Sequence, residues 1–167
     1  LCTIGHVNEA WSTMPPLPFQ PMVGHDGSVS RSCACPNTSG FQKHIREKYT
    51  LAARARPDFI WVDDDIRMHY HGVAWGCFCP VCLRWFAKRI GRRLSRITLV
   101  RAMSDPQESN LRHAWIEQNR ASIEALLALV AESVHAVDKR IAMGLMTCGA
   151  AWTTYSGVAF ERWFKAL

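Results

Sequence analysis

No stretch of this sequence approaches the roughly 18–20 consecutive apolar residues that a helix needs to cross a bilayer, so no membrane partner is expected. No cleavable leader is visible in these residues. The chain opens on Leu1, inside "LCTIGHV", a segment that reads as a strand, and a start without an initiator methionine is read as the beginning of a fragment. No G-x-G-x-x-G and no P-loop follows any strand-like segment, which weighs against a nucleotide-binding doubly wound sheet. Acidic residues are in the minority: 20 Lys and Arg against 14 Asp and Glu leave a net charge of +6. Most of that excess sits in "KRIGRRLSR", Lys88 to Arg96. Such a run reads as helix ends and a turn facing water, so nucleic acid is not the expected partner.

What is present is ordinary globular material. The 167 residues, 49% hydrophobic and 20% charged, suffice for one domain over 1–167 with its own core. Seven cysteines make an odd set: Cys2, Cys33, Cys35, Cys77, Cys79, Cys82 and Cys148. Three of them form a tight C-x-C-x-x-C cluster. That clustering suits thiolate–metal chemistry in a reducing, cytoplasmic setting better than a secreted disulfide framework.

Along the chain, residues 2–8 are apolar and β-branched, a strand pattern. Residues 11–37 are rich in Pro, Gly and Ser and read as one long loop, of the kind that is usually functional or disordered. Phe41, Ile45, Tyr49 and Ala52 or Ala53 fall on one face of a helix over 39–55, which Thr38 or Ser39 can cap and Pro57 stops. "FIWV" within Asp58 to Asp63 reads as a strand buried on both faces. A helix over Val81 to Ile90 ends at Gly91, and another follows Ser95. Ser104-Asp105-Pro106 starts a long helix reaching about Val137. Residues 140–147 read as a third strand, and "VAFERWFKAL" as a closing helix. Trp85, Phe86 and Trp115 are expected in the core between helices and sheet. Strands separated by helices pair in parallel through crossovers. The expected fold is therefore α/β, a partial (β/α)8 barrel of about three units, with the chemistry at the C-terminal strand ends.

Asp63, Asp64 and Asp65 crowd one such end. Like charges and burial raise carboxyl pKa values, and a carboxyl kept protonated near neutral pH can serve as a general acid. Glycoside hydrolysis pairs such an acid with a second carboxylate. The alternatives are a solvated acidic turn, a salt bridge to Arg67 or Arg31, or a site for Mg²⁺ or Ca²⁺. Cys77, Cys79 and Cys82 supply three metal ligands, and a closed zinc site takes four. Cys33, Cys35, His69 or His71 could complete it, or all of these thiols could be buried and free. His6, Asn8, Glu9 and Trp11 follow the first strand. There Trp11 suits either stacking on a sugar or the core under the long loop. His69, Tyr70 and His71 stand where they could shape a pocket.

These residues carry a family resemblance. "RSCACPNTS" (Arg31 to Ser39), "VDDD" (Val62 to Asp65), "CFCPVC" (Cys77 to Cys82) and "LRWFAKRIG" follow in the order seen in glycoside hydrolase family 42, the bacterial β-galactosidases. That family shows R-R-H-Y-C-P-N-S-P, V-D-N-E, C-Y-C-x-x-C and F-R-x-W-L. The chain resembles that family, or a related divergent hydrolase-like barrel, over about residues 27–95. The resemblance implies a structural zinc on Cys35, Cys77, Cys79 and Cys82, and a sugar-contacting Arg31. It implies an acid/base at Asp65, beside Asp63 and Asp64. Asp65 stands for the family's Glu and Asp64 for its Asn. The shorter Asp sets the donor oxygen about 1.5 Å back, enough to matter for positioning. Glu9, Trp11 and His69 are further candidate substrate contacts. The expected function is glycosidase-like hydrolysis of O-glycosidic bonds in a carbohydrate, with the nucleophile on a later strand outside this chain. The alternative is a non-catalytic, zinc-stabilised carbohydrate-binding or scaffold barrel, and a third option is a zinc-dependent nucleic-acid module using the basic stretch. A homo-oligomer of the full-length protein is left open.

Overall fold

The structure, a computed structural model, describes residues 1–5, 18–69, 72–147 and 157–167. Among them are five α-helices and two small sheets. Strands β1 (Pro21–Val23) and β2 (Val29–Ala34) form an antiparallel hairpin. Helix α1 (Ser39–Arg54) leads to strand β3 (Phe59–Val62). Helices α2 (Pro80–Ile90), α3 (Arg96–Ser104) and α4 (Ser109–His135) then cross over to strand β4 (Ala142–Leu145), and α5 (Phe160–Ala166) follows.

The barrel expectation is corrected. A barrel needs one closed parallel sheet, and the described strands form two separate pairs, with no barrel among them. Parallel pairing across a helical crossover is found once: β3 and β4 align Phe59 with Ala142 through Val62 with Leu145. Leu1 lies against β3, giving its amine to the Trp61 carbonyl and accepting from the Asp63 amide at 3.2 Å. Residues 1–5 nevertheless form no regular strand, and the remainder of the segment expected over 2–8 lies outside the described residues. The long loop expected over 11–37 holds the β1–β2 hairpin instead. Two glycines mark its turn, where Gly24 donates to the Ser28 carbonyl at 2.8 Å and Gly27 adopts φ 93°.

Helical periodicity reads well. Phe41, Ile45, Tyr49 and Ala53 form the buried face of α1. Gly91 closes α2 in the left-handed conformation (φ 72°), and the Ser95 side chain caps α3 by accepting from the Thr98 amide. Asp105 caps a single 3-10 turn, Pro106–Glu108, that feeds α4. Helix α4 is the spine, packing against α1, α2, α3 and α5. Its fully buried Trp115 stacks on Phe78 at 4.5 Å and meets Phe86 edge-on at 5.0 Å. Arg162 of α5 is held by Glu117 and Glu124 of α4.

Two burial expectations fail. Strand β3 is not buried on both faces: Phe59 and Trp61 point outward while Ile60 and Val62 enter the core. The pleat sends alternate side chains to opposite faces, and helices cover only one of them. Trp85, expected in the core, is 44% exposed on α2, whereas Phe86 and Trp115 are buried.

Candidate metal centre

Cys35 stands one residue beyond β2, where the hairpin strand turns toward α1. Its amide donates to the Gln20 carbonyl at 2.8 Å. The other arm descends from the β3 end. Gly76 donates to Met68 O at 2.7 Å, and Phe78 donates to Val23 O at 2.8 Å. The second of these bonds stitches the Cys77–Cys79 stretch to the hairpin, and the first ties it to the segment that follows β3. Gly76 has to be small: a Cβ there would lie 2.9 Å from the Val23 carbonyl. Cys79 holds the N-cap position of α2, and Pro80 and Cys82 lie in its first turn.

The ligand atoms of Cys35, Cys77, Cys79 and Cys82 all lie within 4.8 Å of one another, and all four residues are buried. These four cysteines can hold a metal ion. The Cys35 sulfur is 3.5 Å from both Cys79 and Cys82, well beyond a disulfide bond of about 2.05 Å. The donor set fits a tetrahedral thiolate centre, whose sulfurs stand about 3.5–4 Å apart when each metal–sulfur bond is near 2.3 Å. Thiols this close share protons. S–H groups of Cys35, Cys77 and Cys82 hold Cys79 as a thiolate, far below its ordinary range. Hydrogen bonding with Cys77 and Cys79 drives Cys35 up, and bonding with Cys35, Cys77 and Cys79 drives Cys82 up. The α2 N-terminus adds its partial positive charge beside Cys79.

A polar shell surrounds the sulfurs. The buried Asn37 amide donates to the Cys82 sulfur at 3.2 Å and to Ser122 Oγ at 2.9 Å. From α4, Gln118 donates to the Cys82 carbonyl at 3.0 Å and Asn119 to the Gly76 carbonyl at 2.9 Å. Sequence reasoning passed over these four residues. The available signal was Gln118, Asn119 and Ser122, three polar side chains interrupting the apolar face of α4.

Cys35, and not Cys33, joins the cluster. Cys33 is buried elsewhere, and burial pushes its thiol up to about 11. His69 is not part of the cluster either, and burial, helped by Arg67, brings its imidazole down to about 4. His71 lies outside the described residues, as do His6, Asn8, Glu9, Trp11, Tyr70 and Cys148.

The three carboxylates follow β3 in three different settings. Asp63 is half-buried and accepts from the Cys2 thiol at 3.2 Å and the Asp64 amide at 2.9 Å. Asp64 pairs with Arg67 at 3.0 Å, the first of the two arginines considered. Asp65 is buried, and both its oxygens accept from the Thr3 amide, at 2.9 and 2.8 Å, with the Thr3 hydroxyl adding a third bond at 2.9 Å. That set of donors makes Asp65 an anchor for the N-terminal segment. Arg31 lies on the exposed face of β2 and makes no ion pair among the described residues. No protein-family model matches the chain, and no curated protein matches it.

Proposed function

We propose that the four cysteines bind one structural zinc ion. The observation that carries this is the meeting of four buried sulfurs from two chain segments more than 40 residues apart. Zinc favours a closed four-thiolate site, and with every position taken by protein it supplies cross-linking, not Lewis-acid chemistry. Cys35, Cys77, Cys79 and Cys82 would hold it, and Asn37 would donate to one thiolate. Reduced thiols of this kind go with a reducing compartment such as the cytoplasm. Elemental analysis of protein made without added metal should find about one zinc per chain. Cys35→Ser and Cys79→Ser should lose it, and Cys33→Ser and Cys148→Ser should keep it. Metal-free protein of unchanged stability sinks the reading.

A second reading is that the zinc supports a carbohydrate-active protein similar to glycoside hydrolase family 42. It is favoured by the fourth cysteine, since the one that the resemblance selects is the one found beside the other three. The Asp63–Asp65 triplet after β3 would then supply the acid, with Asp65 as proton donor and Arg31 as a sugar contact. The Thr3 bonds to Asp65 argue for an anchoring role, which is the non-catalytic alternative. Asp65→Asn in the full-length protein separates them. A donor's loss slows substrates with poor leaving groups by about 10²- to 10⁴-fold and spares activated aryl glycosides. An anchor's loss lowers stability and affects both substrates alike.

A further inference from the structure

Between Asp65 and Asp105 the chain carries no acidic residue. Five of the eight cations of that stretch, Arg84, Lys88, Arg89, Arg92 and Arg93, lie on α2 and the turn behind it. A cavity of about 500 Å³ is lined by Arg84, Lys88, Arg92 and Arg93, with Leu83 and Leu94 as apolar surface. A second, of about 340 Å³, shares Lys88 and is lined by Trp85, Arg89 and Ser122. The exposed indole of Trp85 thus lines the second groove, and Lys88 is common to both.

Helix ends attract cations because of the helix dipole, which accounts for Lys88 and Arg89 in the last turn. It does not account for the missing counter-charges. A solvated helix face usually interleaves signs at i,i+4, as Lys43–Glu47 on α1 and Glu161–Lys165 on α5 do here. On α2, Arg84, Lys88 and Arg89 make no ion pair or hydrogen bond among the described residues, and neither does Arg93 beyond it. Arg92 has one long, exposed contact with Glu108 at 3.9 Å. The face thus presents cationic donors in excess of its acceptors, which are Gln118 and Ser122 in the second groove and Glu108 beside Arg92. A neutral sugar, whose hydroxyls donate as well as accept, is poorly served by such a surface. A phosphodiester chain only accepts, and guanidinium groups bind its oxygens in pairs. Single-stranded nucleic acid adds exposed bases that stack on an aromatic side chain beside a cationic groove.

We propose that this face binds single-stranded nucleic acid, with phosphates along Arg84, Lys88, Arg92 and Arg93 and a base stacked on Trp85. The proposal goes beyond the zinc reading and does not depend on it, because zinc content is measured separately. The test is fluorescence anisotropy of a labelled oligodeoxythymidine of about 20 nucleotides with the purified chain over a range of salt. Affinity should fall with salt, with a log–log slope of about −0.7 per phosphate contacted. Trp85→Ala should weaken binding at least about fivefold, the lower end of one base–aromatic stack. Arg93→Glu, in the turn beyond the helix, should weaken binding and flatten the salt slope, with circular dichroism and zinc content unchanged. Binding that survives Trp85→Ala, or a duplex bound as tightly as the single strand, overturns the proposal in favour of a general polyanion surface. A sulfated polysaccharide held in a Trp85-dependent way, with the oligonucleotide not bound, overturns it in favour of acidic glycans.

Discussion

The side-chain amide of Asn37 points a hydrogen at the sulfur of Cys82, 3.2 Å away. A donor aimed at a thiolate offsets part of its negative charge and fixes its direction. Outer-shell partners of this kind typically account for about 10- to 100-fold in metal affinity. Asn37→Leu should therefore raise the dissociation constant for zinc by that factor in a chelator competition. Ser122→Ala, which removes the second acceptor of the same amide and leaves the sulfur contact intact, should change it far less. Equal losses in the two variants would mean that α4 packing, and not the N–H to sulfur contact, sets the affinity.

Trp115 fills the space between α4, Phe78 and Phe86. Truncating a buried aromatic of this size costs about 3–5 kcal/mol. Trp115→Ala should lower the urea midpoint accordingly, with little change in denaturant slope. Trp85→Ala, at an exposed position, should stay within about 0.5 kcal/mol of the parent. A small effect at Trp115 would contradict its place at the centre of the core.

Gly144 lies under the ring of Trp61, and a Cβ at Gly144 would come within 2.4 Å of two indole carbons. Gly144→Val should destabilise by about 1–3 kcal/mol, the range for overpacking. Adding Trp61→Ala should recover most of that loss, because the two residues occupy the same space. Additive losses in the double variant would show the clash to be elsewhere.

His69 is brought to about 4 from an ordinary value of 6.5, by burial and then by Arg67. The unfolded chain therefore binds a proton at this site at a higher pH than the folded one. Stability rises with pH wherever the unfolded state binds more protons. The contribution of His69 is complete above about pH 6.5 and is lost as pH falls toward 4. Urea unfolding at pH 7 and pH 5 should show a smaller acid-side loss in His69→Gln than in the parent. Using the difference between proteins cancels the protonation of the cysteines, which both share. An unchanged difference would remove His69 from the account.

The helices were legible because their apolar faces repeat over several turns and their ends carry Ser95, Asp105–Pro106 and Gly91. The cysteine cluster was legible because three thiols lie within six residues. The hairpin was not: β1 has three residues, and the glycines of its turn, in a stretch rich in Pro and Ser, resemble an unstructured loop to a local reading. Burial of β3 was misjudged because "FIWV" is apolar at every position. Whether Phe59 and Trp61 are covered depends on what lies across the sheet, which periodicity does not encode. The barrel failed for a related reason. A strand–helix order specifies parallel neighbours, and β3 with β4 obeys it, but closure needs strands that this order does not count. The shell of Asn37, Gln118, Asn119 and Ser122 stayed hidden because its members meet only in three dimensions.

The two sheets share no strand. The hairpin is tied instead to the segment leading into α2, by backbone bonds such as Phe78 to Val23 and by the four cysteines, of which the hairpin delivers one and that segment three. A metal held there would cross-link the hairpin to that segment, and its removal should loosen the hairpin before the helical core. Hydrogen exchange of chelated protein should show the amides of β2 opening by sub-global unfolding while those of α4 keep the protection of global unfolding. The cysteines would then govern which part of the molecule comes apart first.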